Sequence, residues 1–169
     1  MTSADRSGQR RSGPRGSRQA RQPSALQRAI GLLSRREHSR LELLRKLAAR
    51  GVAPQEAEAA VAQLAGEGWQ DDARFAESLV RSRAGAGYGP VRIRAELATH
   101  GLGETEVSRA LAACAIDWRE NARALVCRRV GDLQGQPALR RKAAELLYRR
   151  GFSSDQVASA LDGLDVRED

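Results

Sequence analysis

Three glycines, Gly51, Gly101 and Gly151, stand fifty residues apart in this 169-residue chain, and one apolar pattern recurs around each. Leu47, Leu97 and Leu147 precede the glycine by four positions; Val52, Leu102 and Phe152 follow it directly. Ala57, Val107 and Val157 stand six beyond it, Ala60, Ala110 and Ala160 nine beyond, and Val61, Leu111 and Leu161 close the series. So many matches in three copies mark an internal repeat, which restricts the fold before any single element is considered. In each copy the glycine follows an Arg- and Leu-rich helical pattern and precedes one apolar residue and a new helix start. That is the position where a chain turns through the left-handed region, cheaply only for Gly or Asn. Each copy therefore holds two helices joined by a glycine cap.

A third helix opens each unit: ALQRAIGLL from position 25, ARFAESLV from 73 and ARALVCRRV from 122 carry apolar residues at three-to-four spacing. Ser24–Gln27, Ser39–Glu42, Asp117–Glu120 and Ser153–Gln156 are capping-box patterns. Pro54, Pro90 and Pro137 suit first-turn positions, where the missing N–H costs nothing. The pattern predicts nine helices, over 24–36, 39–50, 54–66, 71–84, 90–100, 104–114, 117–131, 137–150 and 153–163. No stretch alternates with period two between hairpin turns, so the fold class is all-α. The expected organisation is three tandem three-helix, helix-turn-helix-like repeats at 24–68, 69–115 and 116–164, with a short acidic end at 165–169. Alanine, at 29, is the commonest residue and aromatics make up 4%, so the core is expected to be thin and subdivided. Units this poor in bulky side chains need stacking neighbours, which predicts an elongated, curved array.

The net charge is +8, and residues 1–23, with six Arg and one Asp, hold +5 of it. That segment contains no bulky apolar side chain and is expected to be a disordered basic tail. Such a tail either holds phosphates without sequence preference or is simply solvated. No apolar run approaches the ~20 residues that span a bilayer, and no apolar stretch backs the basic N-terminus as a secretory signal would require. The expectation is a soluble, cytoplasmic protein with no membrane partner.

Catalytic signals are weak. His38 precedes a helix cap and His100 a cap glycine, so both read as solvated helix-end residues. Cys114 and Cys127 fall on apolar helical patterns and read as buried; two cysteines make neither a disulfide framework nor a metal set. GAGYGP, at 85–90, lacks the Lys-Ser/Thr of a phosphate loop and follows no strand, so it reads as a flexible turn. Asp71 and Asp72 read as helix capping rather than a catalytic pair. No cofactor or metal is expected, and nothing resembles an enzyme.

What remains is arginine. Arg81, Arg83, Arg92 and Arg94 flank Tyr88 with no acid between Glu77 and Glu96. Arg35, Arg36, Arg40, Arg45 and Lys46 form a similar band in the first repeat, and Arg140, Arg141, Lys142, Arg149 and Arg150 in the third. Equivalent positions in stacked repeats would make a basic stripe suited to a phosphate backbone or an acidic partner. The plainer alternative is an arginine-favouring composition, 27 Arg against two Lys, on ordinary solvated helix faces.

HSRLELLRKLAARGV, EGWQDDARFAESLVRSRA and GYGPVRIRAELATHGL together resemble the RecX family of recombinase regulators, from about Ala25 to Leu164, with the third repeat the loosest match. The resemblance implies a non-catalytic modulator of RecA made of three three-helix units. It would lodge in the groove of the RecA–DNA filament and suppress filament extension, ATP hydrolysis, strand exchange and the SOS co-protease activity. It also implies weak binding of single- or double-stranded DNA, and a monomer is expected. By motif position, Leu41, Leu44, Leu47, Phe75, Ala76 and Leu79 would be core. Tyr88, Arg92 and Arg94, with Arg81 and Arg83 beside them, are the candidate contact face, with Arg40, Arg45 and Lys46 as further candidates. Tyr88 is either exposed or packed on its own loop. The alternative function is a helix-turn-helix-type regulator that binds DNA directly, without RecA.

Overall fold

A computed structural model describes residues 23–131, 133 and 136–165. All but one residue of the expected basic tail, and the last four of the acidic end, lie outside the described residues. The described residues form nine helices and no strand: α1 (Ala25–Leu33), α2 (Arg40–Ala48), α3 (Pro54–Gly66), α4 (Asp72–Gly85), α5 (Pro90–Thr99), α6 (Glu104–Ala113), α7 (Trp118–Arg129), α8 (Pro137–Arg150) and α9 (Ser154–Asp165). The start signals act as the sequence suggests. Ser24 and Ser153 make complete capping boxes with Gln27 and Gln156. Ser39 and Asp117 accept the N–H groups of Glu42 and Glu120, and each of the three prolines sits in the first turn of its helix.

The repeated glycines adopt the left-handed conformation, with φ of 75°, 84° and 84° at Gly51, Gly101 and Gly151. The next residue closes the turn: the N–H groups of Val52 and Phe152 donate to the carbonyls of Leu47 and Leu147 at 3.2 and 3.1 Å. One left-handed helix end among the described residues is made without glycine. Ala115 follows α6 with φ 47°, at the place where the first unit uses Gly68 after α3.

Helices pack in threes, and the core is subdivided accordingly. Leu43, Leu47, Val61 and Leu64 centre the first unit, Phe75, Val80, Ile93 and Leu97 the second, and Leu125, Val126, Leu147 and Phe152 the third. Burying each such side chain contributes ~1.5–3 kcal/mol. Trp118 packs against both the second and third clusters, where the chain passes between units. Of the residues expected in the core, Leu47, Phe75 and Ala76 are buried and Leu44 and Leu79 lie at its edge. Leu41 instead faces the next unit: its Cδ2 would be 3.3 Å from a Cβ on Gly101.

The units therefore join by a shared device, in which the glycine turn of one unit seats on the start of the middle helix of the unit before it. Gly101 approaches Leu41 of α2, and Gly151 approaches Arg92 of α5, where a Cβ would come within 2.5 Å of the Arg92 Cβ. Gly51, in the first unit, has nothing within 4 Å of its Cβ position.

Candidate partner interface

The stretch Ala86–Gly87–Tyr88–Gly89 leads from α4 into α5, and it is not the flexible turn that its glycines suggest. The Gly89 N–H donates to the Arg150 carbonyl at 2.8 Å, and the Val91 N–H to the Gly151 carbonyl at 3.0 Å. The Arg150 guanidinium returns a bond to the Ala86 carbonyl at 3.2 Å, and the Asn121 amide donates to the Ala84 carbonyl at 3.0 Å. A Cβ on Gly89 would overlap the Gly151 carbonyl. Two backbones pass at contact distance here, and only glycine permits it.

Tyr88 is half-buried at this joint and holds two cations. The Arg92 guanidinium carbon lies 4.9 Å from the ring centre and that of Arg150 5.0 Å. Each such contact contributes ~0.5–1 kcal/mol when exposed. Arg83, on α4, takes Glu96 of α5 with two guanidinium nitrogens, Nη2 at 2.6 Å and Nε at 2.8 and 3.0 Å. The hydrogen bond from Arg83, then its charge, hold the Glu96 carboxyl below the usual carboxylate range. Arg83, Tyr88, Arg92, Ala95, Glu96 and Thr99 line one open groove. Arg45 of the first unit reaches its edge, donating to the Thr99 carbonyl at 3.3 Å.

The remaining candidates point elsewhere. Arg81 pairs with Glu77 at 3.2 Å beside Cys114. Arg94 turns toward α6, bound to Glu104 and, at 3.0 Å, to Ser108. Lys46 lies 3.6 Å from Glu42, and Arg40 is exposed while its backbone N–H donates to Asp72. The fold thus gathers Arg45, Arg83, Tyr88 and Arg92 and separates Arg81 and Arg94 from them. Arg150 belongs with the gathered set and was not among the candidates. Its signals in the sequence are its place in the third repeat's basic band and beside the third repeat glycine. Nor do equivalent positions build a stripe, because Pro90 stands where Arg40 and Arg140 stand in the outer units.

The joint between the first and second units uses side chains instead. Ser39 Oγ and His100 Nδ1 lie 3.2 Å apart, and His100 tilts against Phe75 at 4.8 Å between ring centres. The Arg74 guanidinium donates to Glu37 at 3.0 Å. His38 is 3% exposed, a correction to its reading as solvated: the turn before α2 is covered by Gln70, whose side chain donates to the His38 carbonyl. Burial lowers the His38 pKa, opposed by Glu42, whose Oε2 lies 3.0 Å from Nδ1. Burial alone would raise Glu42; hydrogen bonding to Arg36 and His38 outweighs it and holds the carboxyl low. Of the paired acids, Asp71 caps α4 through the N–H groups of Ala73 and Arg74. Asp72 ties the units together, accepting from the Arg40 N–H and from Gln70, both at 2.8 Å.

Cysteine burial also needs correction. Cys127 is exposed and Cys114 half-buried, with burial pushing the Cys114 thiol up. Cys114 caps the end of α6, and Cys127 follows the buried Leu125 and Val126 on α7 but is turned out of their face. Among the described residues, no group of three or more His, Cys, Asp or Glu could hold a metal ion.

Models of the three RecX three-helix domains match the chain in series: the first over residues 25–64, the second over 71–111 and the third over 117–161. The chain belongs to the RecX family. Among curated relatives, the Regulatory protein RecX of Xanthomonas axonopodis pv. citri (strain 306) is 57% identical over 149 residues, covering 87% of this chain and 91% of that one. The Regulatory protein RecX of Stenotrophomonas maltophilia (strain R551-3) is 57% identical over 144 residues, covering 85% and 88%. The crystal structure of RecX from Lactobacillus salivarius superposes with a TM-score of 0.69 at 22% identity, over 83% of this chain and 94% of that one. A second RecX crystal structure gives 0.68 at 26% identity, over 82% and 70%. The RecX fold thus accounts for the arrangement of tandem three-helix units, and the RecX relatives are regulatory proteins by name.

Proposed function

We propose that this RecX-family chain is a non-catalytic regulator that binds RecA–DNA filaments and inhibits their activities: filament extension, ATP hydrolysis, strand exchange and the SOS co-protease step. The observation that carries the reading is 57% identity to a protein named Regulatory protein RecX over 87% of the chain. It works as a cytoplasmic monomer without a cofactor. Among the described residues, no helix is long and apolar enough to cross a membrane. The contact face on this reading is the joint groove with Arg45, Arg83, Tyr88, Arg92 and Arg150, which spans parts of all three units. The test is ATP hydrolysis by preformed RecA filaments on single-stranded DNA with increasing amounts of this protein. Inhibition well below one molecule per RecA protomer is expected; no effect on intact filaments overturns the reading.

A second reading, direct DNA binding without RecA, draws on the two arginines at Tyr88, neither of which pairs with a carboxylate among the described residues. Sequence-dependent affinity for free DNA at physiological salt, with no effect on RecA, would favour it over the first. Affinity for free DNA that is absent at physiological salt, or indifferent to sequence, would count against it.

A further inference from the structure

We propose that Arg92 and Arg150 form a phosphate clamp across the joint of the second and third units, taking the phosphodiester backbone of a single strand of nucleic acid. The proposal rests on the reading that this protein meets DNA in its work, and it assigns where.

Two like charges from different units are held against one ring, at 4.9 and 5.0 Å. Repulsion between them opposes that arrangement. The acid beside Arg92, Glu96, is committed to Arg83 by its two-nitrogen grip. Arg149, next to Arg150, is exposed and adds to the field.

The clamp is also rigid. The Gly89 and Val91 N–H groups bind the carbonyls of Arg150 and Gly151 directly, so the backbones that carry the two arginines are joined without a ligand, and each guanidinium rests on the Tyr88 ring. Arg150 spends one donor on the Ala86 carbonyl, leaving most of its five.

The neighbouring pair indicates the class of anion. At Glu96 both carboxylate oxygens are taken by the single guanidinium of Arg83. A phosphodiester offers more acceptor positions and can take two planar forks at once. Tyr88 and Arg92 line the open groove with Arg83 and Thr99, and the Arg150 guanidinium lies over the same Tyr88 ring.

The test is fluorescence anisotropy of a labelled oligothymidylate with the full chain, across a salt series and without RecA. R92Q/R150Q is compared with R128Q/R129Q, which removes the same charge from exposed positions on α7. The expected result is a tenfold or greater loss for R92Q/R150Q at low salt. Its salt slope should fall by about 0.7, one phosphate contact on a single strand, while the control loses less than threefold. Equal losses from both pairs, or none from R92Q/R150Q, overturn the proposal. Competition by inorganic pyrophosphate separates the sources of phosphate. Displacement only at salt-like concentrations is expected; displacement at micromolar levels would make this a site for small free phosphates and overturn the nucleic-acid assignment. Should the glutamine pair misfold, R92K/R150K keeps both charges without the fork. A threefold loss is expected there, and wild-type affinity overturns the proposal. Because no RecA is present, failure here leaves the RecA reading standing, and failure of RecA inhibition leaves this site standing.

Discussion

Gly89 and Gly151 meet backbone to backbone: a Cβ on Gly89 would overlap the Gly151 carbonyl, and the Gly89 N–H bonds the adjacent Arg150 carbonyl at 2.8 Å. The glycine turn of the third unit is thus both a helix cap and half of a joint. Gly51 is a cap alone, with open space around its Cβ position. Both residues have positive φ, 75° and 84°, so alanine at either carries a similar backbone strain of ~1–2 kcal/mol. Only Gly151→Ala also drives a Cβ to 2.5 Å from that of Arg92, an overlap that costs a further ~1–3 kcal/mol. Urea unfolding should therefore show Gly151→Ala as clearly the more damaging change. Equal losses would mean that the joint yields freely.

Ala115 invites the opposite substitution. It holds φ 47° after α6, and its side chain is exposed, so nothing is lost by removing the methyl group. Ala115→Gly should raise stability by about 0.5–1 kcal/mol, the relief of left-handed strain exceeding the added freedom of the unfolded chain. A lowered melting temperature would refute the assignment of strain.

The joint of the first two units should be the acid-sensitive one. His38 is buried and its pKa is depressed in the fold, so between that value and the ordinary one near 6.5 the unfolded chain binds more protons. Stability is therefore intact above about pH 6.5 and falls as pH drops below it. Glu42 and Glu96 have lowered pKa values; their contribution is present above the ordinary carboxylate range and is lost at still lower pH. Melting temperatures between pH 8 and 4 should show the first decline starting near neutrality. His38→Gln should flatten that first decline while leaving the carboxylate step.

The repeats, their glycine caps and nearly every helix start were legible because each depends on residues a few positions apart. The joints were not. Nothing near Gly89 in the chain shows that Gly151 will lie against it, so a packed crossing read as a flexible turn. His38 was misread for the same reason, since Gln70 covers it from another unit. At the candidate interface, sequence neighbours grouped Arg81, Arg83, Arg92 and Arg94 together. Helix geometry divides them, because Arg81 lies two positions from Arg83 and Arg94 two from Arg92, on different faces of α4 and α5. The carboxylates that neutralise Arg83 and Arg94 lie 10 or more residues away.

That division can be read in RecA inhibition. Arg92 and Tyr88 share the joint groove, whereas Arg81 is paired with Glu77 and Arg94 with Glu104 on surfaces turned away from it. Tyr88→Ala with Arg92→Ala should raise the concentration needed to halve RecA ATP hydrolysis by tenfold or more, the loss of about 1.4 kcal/mol or more of binding. Arg81→Ala with Arg94→Ala removes one more positive charge yet should shift that concentration less than threefold, because exposed ion pairs contribute only ~0–1 kcal/mol. Both variants should keep wild-type helical content, since the three arginines lie outside the core and Tyr88 packs only at the edge of the second cluster. If the second variant is impaired as much as the first, inhibition follows overall charge, and the groove is not the contact face.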